Sequence, residues 1–363
     1  MISRKKIKVG IGLSGGVDSS VAAALLVEKG YDVIGITMAV YDGPTVVKEA
    51  GTDACYGPGE EEDVEAVASI CKKLGIPFFV IDLKNEYRKH VIDYFRSEYL
   101  VGRTPNPCIV CNQILKFGFL LKKAKETGVD FNFFATGHYA QITKSGKRFL
   151  LKKAADLSKD QTYFLYRLTP EQLSHTLFPL GKYTKHRVRK IARNLGFENA
   201  ARSESQDFIA GGDYSILFNK EEAKEGNIID KEGNVLGKHR GIIHYTIGQR
   251  RGLGIASHRP LYVAKIDAEK NKIIVDGREN LFSQGLIATD LNLIAIDRLD
   301  RPYNVKIKIR LQCRGVDAIV FPHENEKAKI LFAEPQMSVA PGQSAVFYSD
   351  ETVVGGGIIE QPL

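Results

Sequence analysis

No apolar run in this 363-residue chain approaches the ~20 residues of a membrane helix, which argues against an α-helical membrane protein. The basic start, MISRKKIKVGIGL, turns apolar, but glycines interrupt it at once. It reads as a first strand and not as a secretory signal, so a cytoplasmic location is expected. Cysteine is scarce, with five residues (Cys55, Cys71, Cys108, Cys111 and Cys313). In a reducing compartment these are expected to be thiols, so close spacing points to metal or catalysis more than to a structural bridge. Internal repeats and low-complexity tracts are absent, which removes solenoid and disordered classes. Acidic residues are in deficit, with 43 Asp and Glu against 51 Lys and Arg, a net charge of +8. That balance suits a polyanionic partner without requiring one.

The length exceeds one ordinary core, so two or three domains are expected, and 44% hydrophobic residues can fill them. Up to about residue 204, strand-like VGIGLS, VIGITMA, FFVIDL and FNFFATG alternate with helical segments. This predicts an α/β domain over 1–204 with a parallel sheet, and a ligand at the carboxyl ends of its strands. Residues 205–283 turn glycine-rich and β-prone and predict a small central β-rich domain. Short alternating strands over 284–363 predict a C-terminal β-barrel. The charge run GEEEDVEA reads as a solvated helix start. TKHRVRKIARNLG, at 184–196, reads as a basic helix facing either solvent or a polyanion.

The first chemical signal follows the first strand. Ser14-Gly15-Gly16-Val17-Asp18-Ser19-Ser20 leads into the helical VAAALLVEKG, and YDVIGITMAV forms the next strand. Glycines allow close backbone approach, and the helix-start N–H groups with the Ser14 and Ser19 hydroxyls make an anion site. No Gly-Lys-Ser/Thr follows, so this is not a Walker A loop, nor is it GxGxxG. SGGVDSS directly after a strand resembles the signature of PP-loop ATP pyrophosphatases, which adenylate a substrate oxygen and release pyrophosphate. The resemblance implies that Gly12, Leu13, Ser14, Gly15, Gly16, Val17, Asp18 and Ser19 hold ATP phosphates. It also places Met38 by the adenine and Gly137 near the nucleotide. Asp18 either helps place Mg²⁺ or caps the helix.

Further stretches narrow the family. GRTPNPCIVCNQILKFG (102–118), ATGHYA (135–140), LSKDQTYFLYRL (157–168), GIIHYTIGQRRGLGI (241–255) and APGQSAVFY (340–348) occur in order. Together they resemble the tRNA-specific 2-thiouridylases, which replace the C2 oxygen of the wobble uridine with sulfur. The resemblance implies that Asn106, Pro107, Cys108, His138, Lys159, Asp160, Gln161, Arg310, Leu311 and Gln343 contact tRNA. From the residues themselves, Asn106-Pro107 is an extended step able to present a flipped base. Tyr163 and Phe164 beside KDQ offer stacking. His239, Arg240, His244, Arg250 and Arg251 form either a phosphate-facing cluster or a solvated face.

By the same resemblance Cys111, directly before Asn112, is the nucleophile. The family's second cysteine, a persulfide carrier, stands in a stretch resembling SQDICFIPDGDY. Here that stretch is Ser205-Gln206-Asp207-Phe208-Ile209-Ala210-Gly211-Gly212-Asp213-Tyr214, without cysteine. Four readings of Cys108 and Cys111 stay open. They share the sulfur-carrier and resolving roles. With a third ligand, Cys55 first, they hold an iron–sulfur cluster. Thiolation is lost and only tRNA binding remains. Or they form half a zinc site, which no second CxxC or His pair supports. Cys71 and Cys313 read as structural. ATP and Mg²⁺ are the expected small molecules, and the expected protein is a monomer. Sulfur would come from a cysteine desulfurase relay or from inorganic sulfide.

Overall fold

The computed structural model describes residues 6–43, 54–201, 207–209 and 212–363. The chain forms two compact units. One comprises 1–90, 108–212 and 351–353, and the other 91–107, 213–350 and 354–363.

In the first unit, β1 (Lys8–Gly12), β2 (Asp32–Ala39), β4 (Phe78–Asp82), β5 (Phe133–Thr136) and β8 (Thr176–Leu177) form a parallel sheet, while β3 (Ala54–Tyr56), β6 (Ala140–Ser145), β7 (Arg148–Lys153) and β9 (Asp207–Ile209) lie outside it. The sheet order is β4-β2-β1-β5-β8. The alternating pattern therefore produced the expected parallel sheet. The two-residue β8 is too short to leave a periodic signal. Val9 and Ile11 of β1 are fully buried. Their glycine neighbours fit because a Cβ at Gly10 would lie 2.9 Å from the Phe131 ring. Helix α1 (Val17–Glu28) is alanine-rich and apolar nearly all round, as a buried helix must be, with Val21, Ala22 and Ala23 fully buried. Helix α2 (Glu60–Leu74) is two-faced, and left-handed Gly75 (φ 66°) ends it. Cys71 is internal, as expected for a structural thiol, with burial pushing its pKa up to about 11.

In the second unit, β10 (Gly226–Ile229), β11 (Val235–His239), β12 (Tyr262–Asp267) and β13 (Lys272–Asp276) form a sheet in the order β11-β10-β13-β12. Its core holds Ile228, Val263, Ile273 and Val275, and Tyr99 and Leu100 of the helix Asp93–Leu100 pack on it. The remaining strands are β14 (Phe282–Leu293), β15 (Tyr303–Lys308), β16 (Val316–His323), β17 (Lys327–Met337), β18 (Ser344–Ser349) and β19 (Thr352–Pro362). They run β14-β17-β16-β15-β18-β19, and β14 pairs back onto β19 to close the barrel. Along β17, Ala328, Ile330 and Phe332 turn inward, each large side chain contributing about 1.5–3 kcal/mol by leaving water. Cys313 packs partly buried against this barrel core, in keeping with a structural role.

Candidate active site: a glycine cradle and a buried thiol

The first cluster sits where β1 ends and α1 begins, at the carboxyl edge of the parallel sheet. Leu13 N–H donates to Ile36 O at 2.8 Å, and Thr37 Oγ1 donates to Leu13 O at 2.8 Å, so β2 fixes the loop's entry. Gly15 adopts φ 72°, a left-handed geometry suited to glycine. Gly16 caps α1 with no side chain, leaving first-turn N–H groups for an anion. Ser19 Oγ and Ser20 Oγ donate back to Gly16 O at 3.1 and 2.8 Å. Gly137 presses against the start of α1, where a Cβ would lie 2.6 Å from Ser19 N. Met38 lies half-buried near the end of β2.

Three residues that the sequence reading missed complete this cradle. Lys185 Nζ pairs with Asp18 Oδ2 at 2.7 Å, and Tyr139 OH donates to Asp18 Oδ1 at 2.8 Å. Asn199 Nδ2 donates to Gly15 O at 2.7 Å and to Ser20 Oγ at 3.0 Å, while its buried Oδ1 has no hydrogen-bond partner among the described residues. Lys185 is buried, so this residue of the basic helix read over 184–196 faces the cradle, neither solvent nor a polyanion. GEEEDVEA needs a similar correction. Glu60 Oε2 accepts the N–H groups of Val40 and Tyr41, the latter at 2.8 Å, and Asp63 O would be 3.2 Å from a Cβ at Gly15. No local signal marks Lys185 or Asn199, since each meets the loop from more than 160 residues away. The cradle suits a polyphosphate. Both Asp18 oxygens are engaged, Oδ2 by Lys185 and Oδ1 by Tyr139.

The thiol lies on the helix Pro107–Val110, which continues as a π-helical segment, Cys111–Phe119. Such wide turns recur at functional sites. Cys111 is 9% exposed; burial pushes its thiol up to about 11, with Lys116 opposing and Cys55 adding to the shift. Burial opposes the charge on Lys116, yet Cys111, Cys55 and Cys108 outweigh it and hold its pKa up. Burial, reinforced by Lys116, holds His138 neutral, and its Nδ1 lies 2.8 Å from Thr136 Oγ1. Among the described residues no three His, Cys, Asp or Glu side chains are placed to hold a metal ion. Cys55, Cys108 and Cys111 as they stand therefore do not fit the three ligands of a cluster.

The KDQ stretch is largely scaffold. Asp160 is buried; its Oδ1 accepts from Ala154 N at 3.0 Å and its Oδ2 from Thr162 Oγ1 at 2.7 Å. Gln161 Oε1 accepts from Tyr139 N at 2.9 Å. Tyr163 is fully buried, which corrects its reading as a base-stacking ring. Phe164 O accepts from Asn112 Nδ2 at 3.2 Å, so this stretch braces the residue after Cys111. Lys159 remains half-buried at the turn.

Other predicted contacts lie in the second unit. Gln343 Nε2 donates to Thr104 O and Pro105 O at 3.2 and 3.1 Å, joining it to the segment that leads to Asn106-Pro107. Asn106 N–H meets Tyr94 OH at 3.3 Å. Arg310 and Leu311 are exposed beyond β15, with Arg310 Nη2 on Met337 O at 2.7 Å. Arg240, Arg250 and Arg251 are exposed. His239 is buried and held neutral chiefly by that burial, so it leaves the basic cluster.

Comparison with known proteins agrees with this architecture. Three family models match in succession: a tRNA methyl transferase HUP domain over 7–210, a tRNA methyl transferase PRC-barrel domain over 215–276, and an aminomethyltransferase beta-barrel domain over 283–359. A tRNA-specific 2-thiouridylase MnmA of Acetivibrio thermocellus is 49% identical over 369 residues, covering 99% of this chain and 100% of that protein. Proteins of the same name from Clostridium perfringens and Endomicrobium trichonymphae are 47% and 48% identical, covering 99% and 98% of this chain and 99% of each relative. The domain descriptions carry a methyl transferase name, but the relatives that match from end to end are thiouridylases. With the PP-loop cradle and end-to-end identity near one half, the chain belongs to the tRNA-specific 2-thiouridylase family of PP-loop proteins.

Proposed function

We propose that this chain is a tRNA-uridine 2-sulfurtransferase that replaces the C2 oxygen of the wobble uridine with sulfur at the expense of ATP. The observation that carries the reading is the presence, in one compact unit, of a polyphosphate cradle and a shielded thiol on a π-helical segment. Gly12–Ser19 hold the phosphates, Met38 lies by the adenine, and Gly137 sets the depth of the site. The C2 oxygen attacks the α-phosphorus, the α–β phosphoanhydride bond breaks, and pyrophosphate leaves. A sulfur nucleophile at the Cys111 and Cys108 site then forms a C–S bond as the C–O bond breaks, and AMP departs. Lys116 is the cation that opposes the burial cost of a sulfur anion there.

In this reading Asn106, Pro107, Cys108, His138, Lys159, Arg310, Leu311 and Gln343 face the anticodon stem-loop, and Asp160 and Gln161 shape the turn that presents Lys159. Domains divide near 204 and 283. The protein acts as a cytoplasmic monomer served by an external sulfur donor. Mg²⁺ enters only as the counter-ion of ATP, and no cluster takes part. The alternative, a tRNA-binding relative without thiolation, is not favoured.

The test is tRNA-dependent pyrophosphate release from ATP together with 2-thiouridine formation on unmodified tRNA. Cys111→Ala is expected to abolish thiolation and to leave tRNA binding within about threefold, as expected when a nucleophile alone is removed. Normal thiolation by that variant would refute the site.

A further inference from the structure

β3 pairs in parallel with β9, in the register Ala54↔Asp207 and Tyr56↔Ile209. Cys55 therefore stands level with Phe208 on the adjoining strand, roughly one strand spacing of 4.8 Å away. β9 belongs to the stretch in which the family pattern holds its second cysteine. Ser205, Gln206, Ala210 and Gly211 of that stretch lie outside the described residues. Phe208 and Ile209 are 6% and 1% exposed and bring no thiol. The sulfur level with Phe208, that of Cys55, stands one strand to the side.

The rest of the pocket supports a working thiol at that place. Tyr56 is buried and stacks on Tyr87 at 5.4 Å with planes 2° apart. Its OH donates to Asp42 Oδ1 at 2.7 Å, and Arg88 Nε holds Asp42 Oδ2 at 2.6 Å. With Tyr56 locked inward, strand alternation turns Cys55 to the other face, and it is exposed. Cys108 is half-buried and Cys111 buried. The fully buried Tyr87 phenol lies within electrostatic reach of all three sulfurs. A thiol that collects sulfur must be open to a donor, whereas one that acts only on a bound substrate is better shielded. The exposures of Cys55 and Cys111 match that division.

We propose that Cys55 is the sulfur-carrying thiol of this chain, replacing from β3 the cysteine that β9 lacks, with Cys111 as its resolving partner. The proposal rests on the thiolation reading above. Cys55 thiolate attacks the outer sulfur of a persulfide donor, R–S–SH. The new S–S bond forms on Cys55, the donor's S–S bond breaks, and the donor leaves as a thiolate. The outer sulfur, as its anion, attacks the adenylated C2, and AMP leaves with the C–O electron pair. Cys111 gives up its proton to water and attacks the Cys55 sulfur. The S–S bond to the transferred sulfur breaks, and its electron pair stays on the sulfur at C2, giving 2-thiouridine. A Cys55–Cys111 disulfide remains, and a dithiol reductant returns both thiols with two electrons.

The test uses the full chain, cysteine persulfide as donor, ATP and unmodified tRNA. After loading, alkylation and peptide mass spectrometry should find the persulfide on Cys55. After one turnover without reductant, Cys55 and Cys111 should be disulfide-linked. Cys55→Ser is expected to lose thiolation by on the order of 100-fold or more while keeping tRNA-dependent pyrophosphate release within about threefold. Cys313→Ser is the control for thiol loss elsewhere. Persulfide on Cys108 or Cys111 alone, thiolation by Cys55→Ser near the wild-type rate, or iron-dependent thiolation without any persulfide would each overturn the proposal. Should Cys55→Ser not fold, the persulfide and disulfide maps of the wild-type chain still decide. Absence of pyrophosphate release from the wild-type chain would instead refute the thiolation reading itself.

Discussion

Gly137→Ala tests whether the cradle is as tight as its geometry indicates. A Cβ there would lie 2.6 Å from Ser19 N, 2.8 Å from Asp18 C and 2.9 Å from Ser19 Cα. All three neighbours are backbone of the first turn of α1, so no side chain can swing aside. Ordinary contact begins at 3.4 Å, so the start of α1 must recede by 0.8 Å (3.4 − 2.6). Forced overpacking of this kind costs about 1–3 kcal/mol. Because the displaced N–H groups are those that would meet phosphate, a shift approaching 1 Å should cut ATP-dependent activity by on the order of 10- to 100-fold. ATP binding by calorimetry and unfolding in urea read the two consequences separately, and tRNA binding should change little. Gly30→Ala, at the other end of α1, is the control. It has nothing within 4 Å but a φ of 82°, so it should cost about 1 kcal/mol of stability without weakening ATP binding. If Gly137→Ala binds ATP within twofold and unfolds at the wild-type urea concentration, the reasoning fails.

Lys185→Met should leave the Asp18 carboxylate with the hydrogen bond from Tyr139 OH and no ion pair to Lys185. A destabilisation of roughly 1–3 kcal/mol is expected, below the ~3–5 of a fully buried pair because the Asp18 side chain is 27% exposed. Urea unfolding measures it, and Asp18→Asn in the same background should recover part of the loss. Gln343→Ala removes two bonds to the Thr104 and Pro105 carbonyls, each worth about 1 kcal/mol. It should weaken tRNA binding in a filter assay several-fold and leave ATP binding unchanged. The folded pKa values of His138 and His239 lie below the ordinary value, chiefly through burial. The unfolded chain therefore takes up protons first as pH falls. Stability should be full above about pH 6.5 and decline below it by about 1.4 kcal/mol per pH unit for each proton. His138→Gln should lessen that slope in unfolding measurements across pH 5–7.

Local signals determined much of this protein. Strand, glycine turn and helix at Lys6–Glu28 mark the cradle because glycine freedom and helix-start N–H groups act over a few residues. Alternation at AIVFP and KAKILFAE marks barrel strands because one face of each must leave water. The letters NPCIVCN carry the family resemblance, whereas the helix on which the two cysteines stand is shown by the structure. What the sequence left unstated depends on meetings across long separations. Lys185 and Asn199 reach the loop at Asp18 and Gly15, Gln343 reaches Thr104 and Pro105, and β3 brings Cys55 beside Phe208. Residue type also left orientation undecided for Asp160, Tyr163 and His239, which proved internal. The polar atoms of Asp160 and His239 found partners inside, and only packing decides whether a polar side chain turns to water or to its own backbone. The absent cysteine in the 205–214 stretch was legible from the letters alone. That another thiol stands one strand away is a property of the sheet, because hydrogen-bonded pairing makes neighbours of residues about 150 positions apart.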